Sequence, residues 1–382
     1  MNKIDFSDYH SLLTGAFEPE SHPDYVPDYT FNPMQRSGEL TKPLIDMKWV
    51  SDGGKKPAWP GGKEFAVCLT HDVDAVSIRD AVQNFKSIGN MLGNLRAFPF
   101  SFVARKIPAR TIHSIMGWIR GKDDLCQFEK WMEFEDSLGA RSTFFFAPGK
   151  VGKAHITDCI YTLDQKVHFQ GKSQVIADML RIMSKGGWEI GLHPSWRSHD
   201  DILELTDQKA QLEIALGHPV ASVRQHYLKY DVKKTHVAQD KAGFKYDSTM
   251  GYNNYVGFRR GTSYPFQLTD GGSGKRLDLL EIPLSIQDGA LIFPKKGMQL
   301  DVNSALDYIK SITKEVQGTG GVLNLLWHPN RYQEMAFWQL YQLTLNYLRE
   351  LDPWFTTVKE IGDHWTGMGI DLLDYTQSLE SQ

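Results

Sequence analysis

The chain has 382 residues, of which 41% are hydrophobic and 23% are charged, and its net charge is −4. This is the composition of a globular protein, and it excludes a disordered chain, a collagen-like chain and a generally basic nucleic-acid binder. The length allows one large domain or two ordinary ones.

Along the chain, an irregular first part gives way to a regular alternation of elements. Residues 1–63 are rich in Pro, Gly, Asp and Tyr and show little periodicity, so we interpret them as an N-terminal arm on a domain that spans 64–382. From residue 65, short apolar runs alternate with helical stretches, which is typical of βαβ units and a parallel sheet. The pattern predicts an α/β fold with a closed or nearly closed barrel. The predicted strands are 65–70, 142–146, 188–193, 222–226, 246–249, 279–284, 322–328 and 354–358, and the predicted helices are 128–138, 172–186, 199–217, 232–243, 303–317 and 334–351.

A basic stretch interrupts this alternation after the first strand. Residues 81–122 contain seven Lys or Arg side chains, no acidic ones and several large apolar ones. We interpret them as an insertion that either packs its apolar side on the barrel or lies on an anionic membrane surface. No run of 18 apolar residues occurs, so the sequence predicts no membrane-spanning helix.

Cysteine usage and the N-terminus bear on the compartment. The three cysteines, Cys68, Cys126 and Cys159, are too few for a disulfide framework and fit a reducing environment. The first 15 residues contain no apolar segment typical of a signal peptide. We therefore expect a cytoplasmic protein, with peripheral membrane contact through 81–122 as an option.

Several predicted strands end in ionisable side chains. All strand carboxyl ends of a parallel barrel share one rim, where active sites form. Residues more than 250 positions apart would therefore meet at one mouth. The side chains concerned are Asp72 and Asp74 after the first strand, His193 at the end of 188–193, Arg224 and His226 within 222–226, and His328 at the end of 322–328.

Asp72 and Asp74 are separated by one residue and can do different chemistry if their surroundings differ. One can bind a metal ion while the other accepts a proton. Ligation by Asp and His suits Zn²⁺ with an open position for water, and such an ion lowers the pKa of the water and polarises a carbonyl. The alternative is that Asp72-Val73-Asp74 is only a turn or cap after a strand.

Five segments resemble, in order and spacing, the motifs of NodB-type polysaccharide deacetylases, which are carbohydrate esterase family 4 in the wide sense. The resemblance covers about 65–360 without the basic insertion. Thr-His-Asp-Val-Asp at 70–74 and Gly-Phe-Arg-Arg-Gly-Thr at 257–262 resemble a bacterial subgroup that is often tied to surface-polysaccharide assembly. The five segments are LTHDVD (69–74), EIGLHPSWRSH (189–199), RQHY (224–227), YDSTMGY (246–252) and LLWHPN (325–330).

The resemblance implies a distorted (β/α)7 barrel and metal-assisted removal of N- or O-acetyl groups from sugars. It implies roles for six residues. These are Asp72 as general base, Asp74 and His193 as metal ligands, Arg224 as the group that orients Asp72, Asp247 as the acid that tunes the catalytic histidine, and His328 as general acid.

The sequence departs from the family pattern at the second motif. The family usually places a second histidine four residues after the first, but here that position is Arg197. His199 and His226 are equal candidates for the missing ligand. A site that binds metal weakly or not at all is a third option.

Aromatic and basic residues beside the motifs are candidates for substrate binding. Aromatic rings can stack on the apolar face of a sugar, although such residues are more often part of a core. Arg259 could reach an acidic or hydroxylated sugar or form a structural ion pair. The aromatic candidates are Trp196, Tyr227, Tyr252 and Trp327.

Together these features predict a metal-dependent hydrolase, with Zn²⁺ as the favoured ion, that removes acetyl groups from a saccharide. N-acetyl is favoured over O-acetyl, and a role in surface-polysaccharide biosynthesis is expected. The substrate would be a saccharide or a lipid-linked glycan, and no nucleic-acid partner is expected. The alternatives are an amide hydrolase of a small non-sugar substrate and a catalytically silent carbohydrate-binding homologue. The sequence leaves the oligomeric state open.

Overall fold

The computed structural model describes residues 8–18, 39–78, 80, 125–149, 155, 157–293 and 297–380. The predicted basic insertion at 81–122, with its suggested membrane contact, lies outside the described residues, as does most of 1–38. Among the helices of the described ranges, none is both long enough and apolar enough to cross a membrane.

The fold is built on one curled sheet of ten strands. A separate two-stranded hairpin accompanies it. The strands are β1 (Ala66–Val73), β2 (Thr143–Phe146), β3 (Lys166–Phe169), β4 (Lys172–Val175), β5 (Glu189–Leu192), β6 (Ser222–Val223), β7 (Tyr246–Asp247), β8 (Phe266–Thr269), β9 (Arg276–Glu281), β10 (Ile286–Gln287), β11 (Val322–Leu326) and β12 (Trp354–Thr356).

Eight strands of the main sheet run parallel in the order β10-β11-β1-β2-β5-β6-β7-β9. Strand β8 pairs antiparallel with β9, and β12 runs parallel to the first residues of β1. The sheet curls into a half-barrel, so the expected α/β architecture around a parallel sheet is confirmed. Every residue of β1 is buried, as expected for a central strand covered on both faces.

Helices cover this sheet and carry apolar faces toward it. Several begin with the caps expected from their sequences, such as the Thr357–Glu360 capping box before one C-terminal helix. The helices are α1 (Tyr9–Thr14), α2 (Leu44–Ser51), α3 (Phe128–Ser137), α4 (Ile176–Lys185), α5 (Ile202–Leu216), α6 (Thr235–Lys241), α7 (Asp288–Ile292), α8 (Val302–Thr319), α9 (Met335–Glu350), α10 (Val358–Trp365) and α11 (Leu372–Glu380).

The described residues before β1 are packed into the core. Leu13, Ile45 and Trp59 are each at most 3% exposed and belong to one apolar cluster with residues of the main sheet. The Trp59 indole donates a 2.7 Å hydrogen bond to the Gly320 carbonyl, just before β11. Residues 39–62 therefore contribute to the stability of the barrel.

The predicted helix 172–186 is wrong in its first turn. Residues 172–175 form β4, which pairs with β3 in an antiparallel hairpin, and α4 begins only at Ile176. Gln170 and Gly171 both have positive φ, which is the turn geometry that suits a two-residue hairpin loop. The predicted strand 222–226 also ends early, at Val223, so that Arg224 and His226 lie beyond the strand.

Gly257 lies in close contact with the backbone of Leu40, and its replacement by alanine is expected to lower the stability of the protein. Its φ is +138°, and a Cβ there would lie 2.3 Å from the Leu40 carbonyl oxygen. We expect Gly257→Ala to lower the free energy of unfolding by about 2–3 kcal/mol in urea titrations. Gly53→Ala is the matched control, since Gly53 also has positive φ but has open space around it. Equal losses in the two variants would contradict this prediction.

Candidate metal centre

Arg224 is a fully buried side chain that connects several strands of the main sheet near their carboxyl ends. Its guanidinium donates to Asp72 Oδ1 (3.1 Å) and Thr70 Oγ1 (2.6 Å), and it also donates to the carbonyl and the hydroxyl of Ser248, both at 2.7 Å. Asn324 of β11 donates to the same hydroxyl at 2.8 Å. Side chains within β1 and β11 are thereby joined in one network with side chains that directly follow β6 and β7. Arg224 and Asp72 are both buried, so the pair has little freedom to move.

Asp74, His193 and His226 form a triangle of potential metal ligands next to this network. Asp74 Oδ1 lies 3.5 Å from His193 Nε2 and 3.7 Å from His226 Nδ1. The two histidine nitrogens are 2.9 Å apart. Donor atoms bound to one tetrahedral ion at about 2.0–2.2 Å lie roughly 3.3–3.6 Å from one another. The three separations are therefore close to those of a shared divalent ion.

The hydrogen bonds on the far sides of the two imidazoles strengthen this interpretation. His193 donates from Nδ1 to the Arg224 carbonyl, and His226 donates from Nε2 to the Thr157 carbonyl, both at 2.7 Å. If both rings are neutral, the nitrogens that face each other both carry lone pairs, and lone pairs 2.9 Å apart repel unless a proton or a metal ion lies between them. The carboxylate of Asp74 completes a donor set that fits a divalent metal ion.

Charges around the triangle shift the pKa of each member. Burial disfavours the Asp74 carboxylate, but His193, His328 and His226 outweigh this effect and hold the pKa of Asp74 well below its usual range. Burial also acts against protonated His193, but Asp72 and Asp74 raise its pKa. Burial, together with His193, lowers the pKa of His226. The site therefore favours one positive charge between the two rings, beside an ionised carboxylate.

His328, which follows β11, faces the same site from the other side of Asp74. Its Nε2 lies 3.8 Å from Asp74 Oδ2. Its Nδ1 is 2.7 Å from Asp288 Oδ1, and its backbone N–H donates to Asp288 Oδ2 at 2.9 Å. Burial disfavours the imidazolium, but the Asp288 carboxylate outweighs this effect and raises the pKa of His328 to about 9.

Two predicted site residues lie elsewhere. Asp247, assigned by resemblance to tune His328, instead accepts a hydrogen bond from Thr249, and burial raises its pKa to about 6. The carboxylate bonded to His328 is instead that of Asp288, the first residue of α7. His199 lies in a short 3-10 turn with Nδ1 3.5 Å from Asp200, whereas His226 occupies the position beside His193.

The substrate-binding candidates differ in how exposed their side chains are. Tyr227 is 40% exposed, and its ring lies edge-on to His226 with the centroids 4.6 Å apart. Trp196, Tyr252 and Trp327 are each at most 5% exposed, so of the two interpretations of these rings the core position is observed. Arg259 is bound to Glu18 by two hydrogen bonds, so of its two sequence interpretations the structural ion pair is observed.

One potential ligand was missed by sequence reasoning. Ligand atoms of Asp74, Cys159 and His226 all lie within 4.8 Å of one another. Cys159 belongs to none of the motifs, and its distance along the chain from both partners gave no spacing signal. Its burial raises the pKa of the thiol well above the usual value, and the Asp74 carboxylate adds to this effect.

The architecture is similar to that of several solved structures. A protein assigned as a polysaccharide deacetylase from Mycobacterium smegmatis is 18% identical with a TM-score of 0.54, over 82% of this chain and 94% of its own. Puue allantoinase is 14% identical with a TM-score of 0.53, over 82% and 94%. A probable polysaccharide deacetylase from Pseudomonas aeruginosa PAO1 is 15% identical with a TM-score of 0.52, over 81% and 94%. At these identities the similarity establishes the fold and leaves the activity open.

The sequence itself matches no protein-family model and no curated protein.

Proposed function

We propose that the chain is a metal-dependent hydrolase that removes acetyl groups, N-acetyl in preference to O-acetyl, from a saccharide used in surface-polysaccharide biosynthesis. The observation that carries the proposal is the triangle of Asp74, His193 and His226. Asp72 Oδ2 lies 3.9 Å from His193 Nε2, and His328 Nε2 lies 3.8 Å from Asp74 Oδ2. A further carboxylate and a further imidazole therefore lie next to the triangle. The fold shared with two proteins described as polysaccharide deacetylases supports the substrate class.

Asp74, His193 and His226 would hold the ion, with Zn²⁺ favoured by the nitrogen donors. A bound divalent ion would polarise the acetyl carbonyl and acidify the attacking water. Asp72 would accept the proton of that water. The hydrogen bond from Arg224 keeps one Asp72 oxygen occupied, so the other oxygen is the one directed to this task.

His328 would donate a proton to the departing nitrogen. An amide nitrogen leaves poorly unless it is protonated, so the reaction needs an acid as well as a base. Asp288 keeps Nδ1 of His328 occupied, which leaves Nε2 as the nitrogen that faces the site. We propose Asp288, and not Asp247, as the residue that orients this acid. Tyr227, with its exposed ring, is the proposed contact for a sugar face.

The proposed acid predicts a pH dependence. Because Asp288 raises the pKa of His328 to about 9, the acid is protonated at neutral pH and loses its proton as the pH rises through that value. The alkaline limb of kcat/KM is therefore set by His328, and Asp288→Asn should move it to lower pH by one unit or more. The rate profile from pH 6 to 10 measures this shift. An unmoved limb in Asp288→Asn would contradict the assignment of His328.

The direct test is acetate release by the full-length protein, with and without stoichiometric Zn²⁺. N-acetylated oligosaccharides, O-acetylated oligosaccharides and allantoin form the substrate panel. We expect acetate from the N-acetylated sugars with Zn²⁺, and no acetate from His193→Ala. Turnover of allantoin alone would favour the small-amide alternative. Binding of glycan without metal or turnover would favour the silent homologue, and either result would overturn the proposal.

A lipid-linked saccharide as the natural substrate belongs to the same proposal. It is motivated by the basic composition of residues 81–122. The panel addresses it by adding an N-acetylated saccharide on a polyprenyl diphosphate in detergent. A preference for this substrate over the free sugar is the expected result.

A further inference from the structure

We propose that His71 is a positioning residue that fixes the proposed acid, His328, relative to the proposed base, Asp72. This inference rests on the proposed function, because it assumes that these two side chains transfer the protons of the reaction. His71 directly precedes Asp72, and the roles implied by the sequence motifs do not include it.

His71 lies on the face of β1 that points away from the site. Thr70 and Asp72 both accept hydrogen bonds from the Arg224 guanidinium, at 2.6 and 3.1 Å. Successive side chains of a strand point to opposite faces, so His71 points toward the helices. Its ring centroid lies 5.1 Å from that of Trp131 in α3. Any effect of His71 on the reaction must therefore pass through the backbone.

The backbone that His71 holds is that of Trp327, the residue before His328. His71 Nδ1 lies 3.0 Å from the Trp327 carbonyl oxygen. A carbonyl can only accept, so Nδ1 is the donor in this bond. The N–H of Trp327 donates to the Thr70 carbonyl, also at 3.0 Å. Both polar backbone groups of Trp327 are thus bonded to β1 directly before Asp72.

The peptide group between Trp327 and His328 is held from two sides. Its carbonyl accepts from His71, and its N–H donates to Asp288 Oδ2 at 2.9 Å. A peptide group is planar, so the loss of either bond lets the whole plane tilt. The His328 side chain, which is attached to this plane, would then move relative to Asp72.

The His71 ring itself has one well-defined orientation. Its Nε2 lies 2.7 Å from Glu135 Oε1, and the ring is stacked on Phe144 with the centroids 4.5 Å apart. The side chain is fully buried. The ring cannot turn away from the Trp327 carbonyl without also leaving the Glu135 carboxylate, so the donor is presented at a fixed place.

Loss of the bond to Trp327 is expected to slow the reaction without weakening substrate binding. A reacting group that is displaced by about 1 Å can cost about 10²-fold in rate, because the transition state requires an exact geometry. The metal triangle is built from other side chains, so the metal content should not change. We therefore expect a fall in kcat without a matching rise in KM.

Two substitutions separate the two nitrogens of the ring. An asparagine amide nitrogen lies about as far from the main chain as Nδ1 of histidine, and a glutamine amide nitrogen about as far as Nε2. His71→Gln should keep the bond to Glu135 and lose the bond to Trp327, and we expect its kcat to fall about 10- to 100-fold. His71→Asn should keep the bond to Trp327 and recover most of this rate. Rates on an N-acetylated oligosaccharide with stoichiometric Zn²⁺ measure both.

Ser142→Ala is the matched control, because the Ser142 hydroxyl donates to the second oxygen of Glu135 at 2.7 Å. It weakens the same buried cluster and leaves the Trp327 carbonyl bonded, so its kcat should equal that of the wild type. Urea unfolding measures the stability of all three variants. Sucrose, which favours the folded state, is added to the assays of any variant that is too unstable without it.

The imidazole signal of His328, observed by NMR in protein with isotope-labelled histidine, gives a readout that needs no turnover. We expect this signal to shift in His71→Gln and to stay in place in Ser142→Ala, since only the first variant releases the peptide group before His328. A signal that moves in both variants, or in neither, would contradict the proposal.

The outcomes separate this inference from the proposed function. An active wild-type protein whose kcat is unchanged in His71→Gln would overturn the role of His71 and leave the proposed function standing. Equal slowing of His71→Gln and Ser142→Ala, or of His71→Gln and His71→Asn, would have the same meaning. A wild-type protein that releases no acetate would overturn the proposed function, and the role of His71 with it.

Discussion

Asp72→Asn is expected to slow acetate release about 10²- to 10⁴-fold while the protein keeps its metal ion. The substitution removes the proposed proton acceptor but retains an oxygen that can accept the 3.1 Å hydrogen bond from Arg224. The rim should therefore keep its geometry. Steady-state rates on an N-acetylated oligosaccharide, measured with metal content by atomic emission, check both parts of this expectation.

Asp74→Asn is the matched comparison, since it makes the same chemical change two residues away. Asp74 Oδ1 lies in the triangle with His193 and His226, so this variant should lose the metal as well as the activity. An Asp72→Asn protein that retains its rate, or that loses metal as fully as Asp74→Asn, would refute the division of roles between the two carboxylates.

The second large effect is expected on stability, at Glu135 in α3. This carboxylate is fully buried and accepts hydrogen bonds from Ser142, Trp188 and Tyr341, each at 2.7 Å. Its Oε1 also lies 2.7 Å from His71 Nε2. Burial disfavours the charge, but His71 and the other donors outweigh it and lower the pKa of Glu135. We expect Glu135→Gln to reduce the free energy of unfolding by about 3–5 kcal/mol, because an amide cannot accept from all four groups.

Urea unfolding at pH 7 measures this loss. Glu133→Gln, in the same helix, is the control, because Glu133 is 63% exposed and pairs only with Lys130 among the described side chains. It should change the stability by less than about 0.5 kcal/mol. Similar midpoints for the two variants would show that the buried cluster contributes no more than a surface ion pair.

The sequence was most informative where burial and strand endings coincide. The apolar run 65–70 predicted β1, although the strand extends to Val73 and so includes Asp72, and Asp74 directly follows it. His193 and His328 follow parallel strands in the same way, and the structure brings both next to Asp74. Such patterns can be predicted from the sequence because each depends on the residues of a single strand and those next to it.

Features that depend on distant pairing were not readable. The choice between His199 and His226 depends on a short left-handed turn, with Tyr227 at φ +57° and Leu228 at φ +52°. Neither residue is a glycine or asparagine, so the sequence does not predict this turn. Cys159 lies near Asp74 although no spacing in the sequence relates the two residues. Residues 172–175 are a different case, because they pair locally with 166–169 and the sequence analysis assigned them to a helix instead.

The pairing of β1 has a consequence for the synthesis of this protein. Ala66 pairs with Val322, which is 256 positions later in the chain. At a translation rate of about 5–20 residues per second, the central strand waits roughly 13–50 s for this neighbour to leave the ribosome. During that interval one side of β1 offers unpaired backbone groups to any other nascent segment. Folding in the cell should therefore depend on chaperones that shield this strand edge until β11 has emerged.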